Sequence, residues 1–108
     1  MGMKKKSTKR LGEIIRSVVK EFNLHPCDIN NGNCDTFAEK VQDECEKEGI
    51  TVTVHDIDAW WGGHVYIKYE NMCYDAEEPN GVTNFTQLPI YVRARRLKKL
   101  LTQHLTFQ

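Results

Sequence analysis

Apolar positions follow two different periods along this chain, and the change of period divides it into elements. From 7 to 22, Leu11, Ile14, Ile15, Val18, Val19 and Phe22 recur at i, i+3, i+4, i+7, i+8 and i+11. That single stripe predicts a helix whose role is packing, with Ser7 or Thr8 as its cap. Asn23 to Pro26 end it, because a proline disfavours helix in the residue before it. Residues 24–33 are rich in turn formers and read as a loop. A second helix is expected over 34–48, with Asn33 as N-cap and Gly49 as its stop. Cys34, Phe37, Ala38, Val41 and Cys45 form its inward stripe, while Asp35, Glu39, Asp43 and Glu46 form a solvated face.

After Gly49 the period falls to two. Residues 50–55 alternate, with Ile50, Val52 and Val54 on one side, and predict a strand. His55 at its end reads as a surface residue. Residues 56–63 form an irregular loop holding adjacent tryptophans, Trp60 and Trp61, of which one packs and the other lines a cleft. Residues 64–77 predict a hairpin with a two-residue turn at Glu70-Asn71, pairing Tyr69 with Met72, Lys68 with Cys73, Ile67 with Tyr74 and Tyr66 with Asp75. This register collects Val65, Ile67, Tyr69, Met72, Tyr74 and Ala76 on one apolar face, and His64, Tyr66, Lys68, Cys73, Asp75 and Glu77 on the other. His64 and Asp75 become diagonal neighbours, roughly 7–8 Å apart at the backbone. A turn one residue longer would send them to opposite faces. Residues 79–90 read as turn and loop, and Ile90 to Val92 as a short strand or the entry to the last helix. Residues 93–104 form a basic amphipathic helix closing the core, with Ala94, Leu97, Leu100, Leu101 and His104 on one stripe.

With 108 residues the chain is one domain, and residues 1–6 read as a flexible basic tail. No apolar run approaches the roughly 18 residues of a membrane span. Glu13 and Arg16 interrupt any signal-peptide core after the basic start, so no membrane association and a cytoplasmic location are expected. Net charge is zero but unevenly spread: residues 34–80 carry twelve acids against three lysines, whereas residues 81–108 carry five basic groups and no acid. The basic ends are solvated helix surface or a patch for an acidic partner; no nucleic-acid motif accompanies them.

Four cysteines in such a chain are expected to be free thiols. His25, Cys27 and Cys34 are conceivable zinc ligands, but their spacing matches no common finger and a fourth ligand would have to come from afar, so neither metal nor cofactor is expected.

The chemistry-bearing set is Cys34, His64 and Asp75. A thiol attacks carbonyls as thiolate, and a helix N-terminus and a neighbouring imidazolium both lower its pKa. Cys34 has the first by position, and His64 would supply the second. Asp75 would orient the imidazole and favour its charged form. The Cys34 amide, with the side chain of Asn30, Asn31 or Asn33, would serve a developing oxyanion. Trp60, Trp61 and Gly63 are the candidate substrate-binding residues beside them.

These motifs carry a resemblance. Gly32-Asn33-Cys34 followed by helical Phe37-Ala38, then His64-Val65-Tyr66-Ile67-Lys68-Tyr69 and Tyr74-Asp75-Ala76-Glu77, resemble the transglutaminase-like and NlpC/P60-like branch of the papain-like cysteine superfamily. Small bacteriophage proteins share a similar His-hairpin-Tyr-Asp-Ala-Glu run followed by Gly-Val, here Gly81-Val82. The resemblance spans about residues 30–92. It implies an α+β fold, with the nucleophile helix packed on a small antiparallel sheet and flanked by N- and C-terminal helices. It implies a cysteine protease, amidase or transglutaminase-type acyltransferase working through a Cys34 thioester on a peptide or other amide or ester. The alternative is a phage-type accessory protein of the same fold that binds a host protein without catalysis, in the host cytoplasm, through the Trp60-Trp61 loop and the basic last helix.

Overall fold

The computed structural model describes the backbone of residues 2–106 and the side chains of residues 7–103. The chain runs α1 (Gly2–Phe22), α2 (Pro26–Asn30), α3 (Cys34–Lys47), β1 (Thr53–Ile57), β2 (His64–Tyr69), β3 (Met72–Asp75), β4 (Glu78–Val82), a 3-10 turn (Phe85–Gln87) and α4 (Pro89–Thr106). The four strands form one antiparallel meander in the order β1-β2-β3-β4. The fold is therefore α+β, with the first and last helices flanking the sheet. Among the described residues no helix is long and apolar enough to cross a membrane.

The main core lies between the helices and one sheet face. Leu11, Ile14, Ile15 and Val18 of α1 and Phe37, Ala38, Val41 and Cys45 of α3 meet Ile67, Tyr74 and Ala76 there, all buried. Fully burying one such large apolar side chain contributes about 1.5–3 kcal/mol, and this cluster holds α3 against β2. The apolar face expected for the hairpin is the one that meets it, with Val65, Tyr69 and Met72 at its margin.

The hairpin register agrees with the alternation: Tyr69 pairs with Met72, Lys68 with Cys73 and Ile67 with Tyr74. Glu70 and Asn71 both have positive φ, 54° and 66°, which suits the tight turn that matches strand twist. Pairing stops before Tyr66 reaches Asp75, where β3 is drawn toward β4 and the β3–β4 register shifts between Cys73 and Asp75.

Several expectations need correction. α1 starts at Gly2 rather than at 7 and takes in the backbone of the basic tail, whose side chains lie outside the described residues. The stretch expected as a loop before Cys34 contains α2. Pro26 sits in its first turn, where its preset φ suits a helix, and His25 caps it by accepting from the Cys27 amide at 3.2 Å. The strand expected from Ile50 begins at Thr53, although Ile50 and Val52 are buried as anticipated. β4 was expected as turn; Pro79 and Gly81 lie in an edge strand, where a missing amide is tolerated. Gly81 is needed there: with φ 82°, a Cβ would fall 2.6 Å from the Tyr74 ring.

The face expected to be polar is half apolar. Tyr66 and Cys73 are buried on it under Leu88, Ile90 and Tyr91. Tyr66 stacks between His55 and Phe85, at 5.5 and 5.8 Å, so His55 is a half-buried packing residue and not a surface one. Ile90 to Val92 belong to α4. Only the start of α4 closes this core. Leu97, Leu100 and Leu101 are 48, 62 and 47% exposed, because an 18-residue helix, about 27 Å long, outruns the face it covers. His104, placed on the same stripe, falls outside the described side chains.

Candidate active site

Each member of the predicted set comes from a separate element. Cys34 opens α3 and is half-buried; Asn33 stands at its cap position, exposed, without a side-chain capping bond. His64 opens β2 and is 2% exposed, and Asp75 closes β3 at 2%. The hairpin brings these two together: His64 Nε2 and Asp75 Oδ2 are 3.0 Å apart. The other Asp75 oxygen accepts from the Glu77 amide at 3.0 Å, so the carboxylate is held at both ends.

With Nε2 occupied, His64 keeps Nδ1, which is buried and has no aligned hydrogen-bond partner. Cys34 lies close enough to the His64 ring for thiol and imidazole to act on each other. The imidazole is the largest influence on the thiol and draws its pKa below the ordinary value; burial opposes it, and the Val65 backbone amide assists. The nearby Asp35 carboxylate works against the thiolate. Burial alone would lower the His64 pKa, but Asp75 and the adjacent Cys34 outweigh it and raise it to about 9. Thiol and imidazole therefore shift in the directions that favour a thiolate–imidazolium pair.

Cys34 and His64 line a cavity of about 500 Å³, in the range of small-molecule sites. Asn30, Asn31, Trp61 and Gly63 line it as well. Trp61 is half-buried and packs edge-on against Tyr91, with ring centroids 5.4 Å apart. Trp60 is 57% exposed and lies outside the lining. Gly63 has φ 94°, and a Cβ there would fall 2.4 Å from the Ile57 carbonyl oxygen, so any side chain would force the strand carrying His64 to shift. A second hollow of about 420 Å³, beside Arg16, His25 and Glu77, has no nucleophile in its lining.

The asparagines expected to donate to an oxyanion are largely engaged elsewhere. Asn30 is 3% exposed, and its Nδ2 donates to Glu77 Oε2 at 2.8 Å. Asn31 donates to Cys27 Sγ at 3.6 Å. Exposed Asn33 does not line the cavity. The remaining local donors are backbone amides at the start of α3, a helix end whose first amides lack intrahelical partners.

Five further residues shape the site with little local sequence signal. Arg93 grips Glu77 through two 2.8 Å hydrogen bonds, and Glu77 in turn holds Asn30. This clamp ties the segment before Cys34 to the turn that follows Asp75 and to α4. Only the nearness of Glu77 to Asp75 hinted at it; nothing local marks Arg93, 16 residues further on. Tyr91 lies edge-on to His64 at 5.8 Å. Asp35, read as part of a solvated face, lines the cavity together with Asp56.

All four cysteines are free. Among the described residues no three His, Cys, Asp or Glu side chains gather as a metal site would require. No family model matches the chain, and neither a curated protein nor a solved structure matches it.

Proposed function

We propose that this protein is a cysteine-dependent hydrolase or acyltransferase in which Cys34, His64 and Asp75 act as nucleophile, acid–base and orienter. The observation that carries the reading is the buried 3.0 Å contact between His64 Nε2 and Asp75, which leaves Nδ1 for the thiol of Cys34. The papain-like resemblance of the same residues supports it.

In the reaction, the Cys34 thiolate attacks the acyl carbon of an amide or ester. A C–S bond forms, and the carbonyl electron pair moves onto oxygen, near the amides at the start of α3. As the tetrahedral intermediate collapses, the C–N or C–O bond breaks and the His64 imidazolium gives its Nδ1 proton to the leaving group. Neutral His64 then takes a proton from water or an incoming amine, which attacks the thioester and regenerates the thiolate. Asp75 holds the ring throughout and stabilises its charged form. A peptide, or another amide or ester, is the proposed substrate. A reducing cytoplasm, that of the host cell for a phage-encoded chain, is the proposed compartment, since four free thiols suit it.

The test is a burst of p-nitrophenol from p-nitrophenyl acetate with mass-detected acetylation of Cys34. Acylation in the wild type, lost in Cys34→Ala and strongly slowed in His64→Gln, is expected. An acetylation rate at Cys34 no greater than at an ordinary free cysteine overturns the proposal.

A second reading, binding of a host protein without catalysis, is favoured by the exposure of Trp60 and of Leu97, Leu100 and Leu101. It predicts that Cys34→Ala leaves partner capture intact while Trp60→Ala or charge reversal at Arg95 and Arg96 removes it. Capture lost in Cys34→Ala but kept in the surface variants overturns it.

A further inference from the structure

Beyond the thiolate–imidazolium pair of Cys34 and His64, the charged side chains that line the cavity are all negative. Two carboxylates, Asp35 and Asp56, line the cavity with Cys34 and His64, and no lysine or arginine does. Asp35 follows the nucleophile directly, and its charge is felt at the sulfur, where it opposes the thiolate. Asp56 comes from β1, on the far side of the sheet register from β3, so the two acids approach the cavity from different elements.

Two residues of the same lining each hold a buried polar atom without a partner. One is His64 Nδ1, already assigned to the thiol. The other is Asn30 Oδ1. The Asn30 amide is fixed in orientation because its Nδ2 binds the Glu77 carboxylate, which only accepts, so the unpartnered atom is an acceptor. The half-buried indole of Trp61 adds an aromatic surface, and aromatic faces attract cations. Carboxylates, an amide oxygen and an indole share one preference: a positively charged donor.

We propose that the cavity selects acyl substrates carrying an ammonium or guanidinium group beside the carbonyl under attack, held by Asp35 and Asp56 next to the Trp61 ring. The proposal rests on the acyl-transfer reading and adds the substrate class. Both carboxylates are exposed, so each contributes modestly and under screening by salt. Together they are expected to favour a cationic over an isosteric neutral group by roughly 2- to 30-fold, and to disfavour an anion by a similar factor.

Three methanethiosulfonates separate charge selection from intrinsic reactivity: the aminoethyl (cationic), methyl (neutral) and sulfonatoethyl (anionic) reagents. In each, the Cys34 thiolate attacks the sulfenyl sulfur, an S–S bond forms and methanesulfinate leaves. Rates are read on the Cys34 peptide by mass spectrometry at low and high salt. The expected cation-to-anion rate ratio exceeds that of a free small thiol by about fourfold or more. It falls towards the free-thiol ratio in Asp35→Asn/Asp56→Asn and at high salt. It is unchanged in Asp43→Asn, an exposed acid on α3 that does not line the cavity. Acylation of Cys34 by the p-nitrophenyl ester of Nα-acetyl-lysine, which keeps its side-chain ammonium, is expected to outpace that by the Nα-acetyl-norleucine ester in the wild type and Asp43→Asn but not in Asp35→Asn/Asp56→Asn. If the neutral reagent reacts rapidly at Cys34 but the charge ratio matches a free thiol or survives the double substitution, charge selection is overturned and the reactive thiol stands. Equal acylation by the two esters also overturns it. If the neutral reagent finds Cys34 no more reactive than an ordinary cysteine, the acyl-transfer reading falls, and the substrate class with it.

Discussion

The two ends of α3 each carry a cysteine on the same inward stripe, and the fold gives them opposite chemistry. Cys45 is fully buried among Leu11, Ile15 and Val41, and burial pushes its thiol up to about 11. Cys34 is half-buried at the helix start, and the His64 imidazole draws its thiol below the ordinary value. Helical periodicity treats the two alike. The difference comes from where each sits on the helix and what the sheet presents to it: an apolar layer at one end, a buried His–Asp pair at the other. Residue type and stripe position thus establish packing, while a titratable neighbour brought from β2 sets the direction in which the thiol pKa moves.

The largest expected effect is the contrast itself. At pH 7 iodoacetamide should alkylate Cys34 at least about 100-fold faster than Cys45, since the rise of the Cys45 thiol from 9.0 to about 11 alone cuts its thiolate by that factor. In His64→Gln the contrast should shrink, because the imidazole is the main influence on Cys34. Peptide mass mapping over time reads both rates. Comparable labelling of the two thiols would break the comparison.

Stability should depend on pH through the same imidazole. The folded-state pKa of His64, about 9, lies above the ordinary 6.5. Its charge therefore stabilises the fold fully below about 6.5, and this contribution is lost as pH rises through about 9. The stability difference between wild type and His64→Gln, from urea unfolding, should favour the wild type more at pH 6 than at pH 10, by on the order of 2–3 kcal/mol. A difference that is flat across this window would show that folding leaves the His64 pKa at its ordinary value, and one that favours the wild type more at pH 10 would show that His64 is held neutral.

The Glu77 clamp holds Asn30, just ahead of the Cys34 end of α3. Glu77→Ala would leave the buried Asn30 amide without its acceptor and Arg93 without its partner. A loss of about 1–3 kcal/mol is expected, with Cys34 alkylation slowed and Cys45 unaffected. Equal changes at both cysteines would mean general loosening rather than local support. The smallest effect is expected at the far end of α4: Leu100→Ser should change unfolding free energy by less than about 0.5 kcal/mol, because Leu100 is 62% exposed. A loss above about 1 kcal/mol would reveal a partner for that stripe, such as a second chain.

Much of this molecule follows from local rules that can be read along the chain. Helical stripes place Leu11 to Val18 and Phe37 to Cys45 inward because the period of 3.6 is intrinsic to the helix. The hairpin register follows from a two-residue turn and a side-chain period of two, and so the meeting of His64 with Asp75 was legible before any tertiary contact. The position of Cys34 at a helix start is equally local. Tertiary structure decided the rest. Which face of β2 would meet Cys34, thirty residues away in the chain, depends on how α3 packs on the sheet. The burial of Tyr66 and Cys73 depends on α4 folding back over a face that looked polar. Pro79 and Gly81 concealed an edge strand, since turn formers are tolerated there once β3 supplies a partner. The Asn30–Glu77–Arg93 clamp joins three elements through side chains alone, with no period to announce it. Local periodicity fixes which residues face inward along each element. Only packing determines which elements face one another, and therefore whether a cysteine becomes a core residue or a candidate nucleophile.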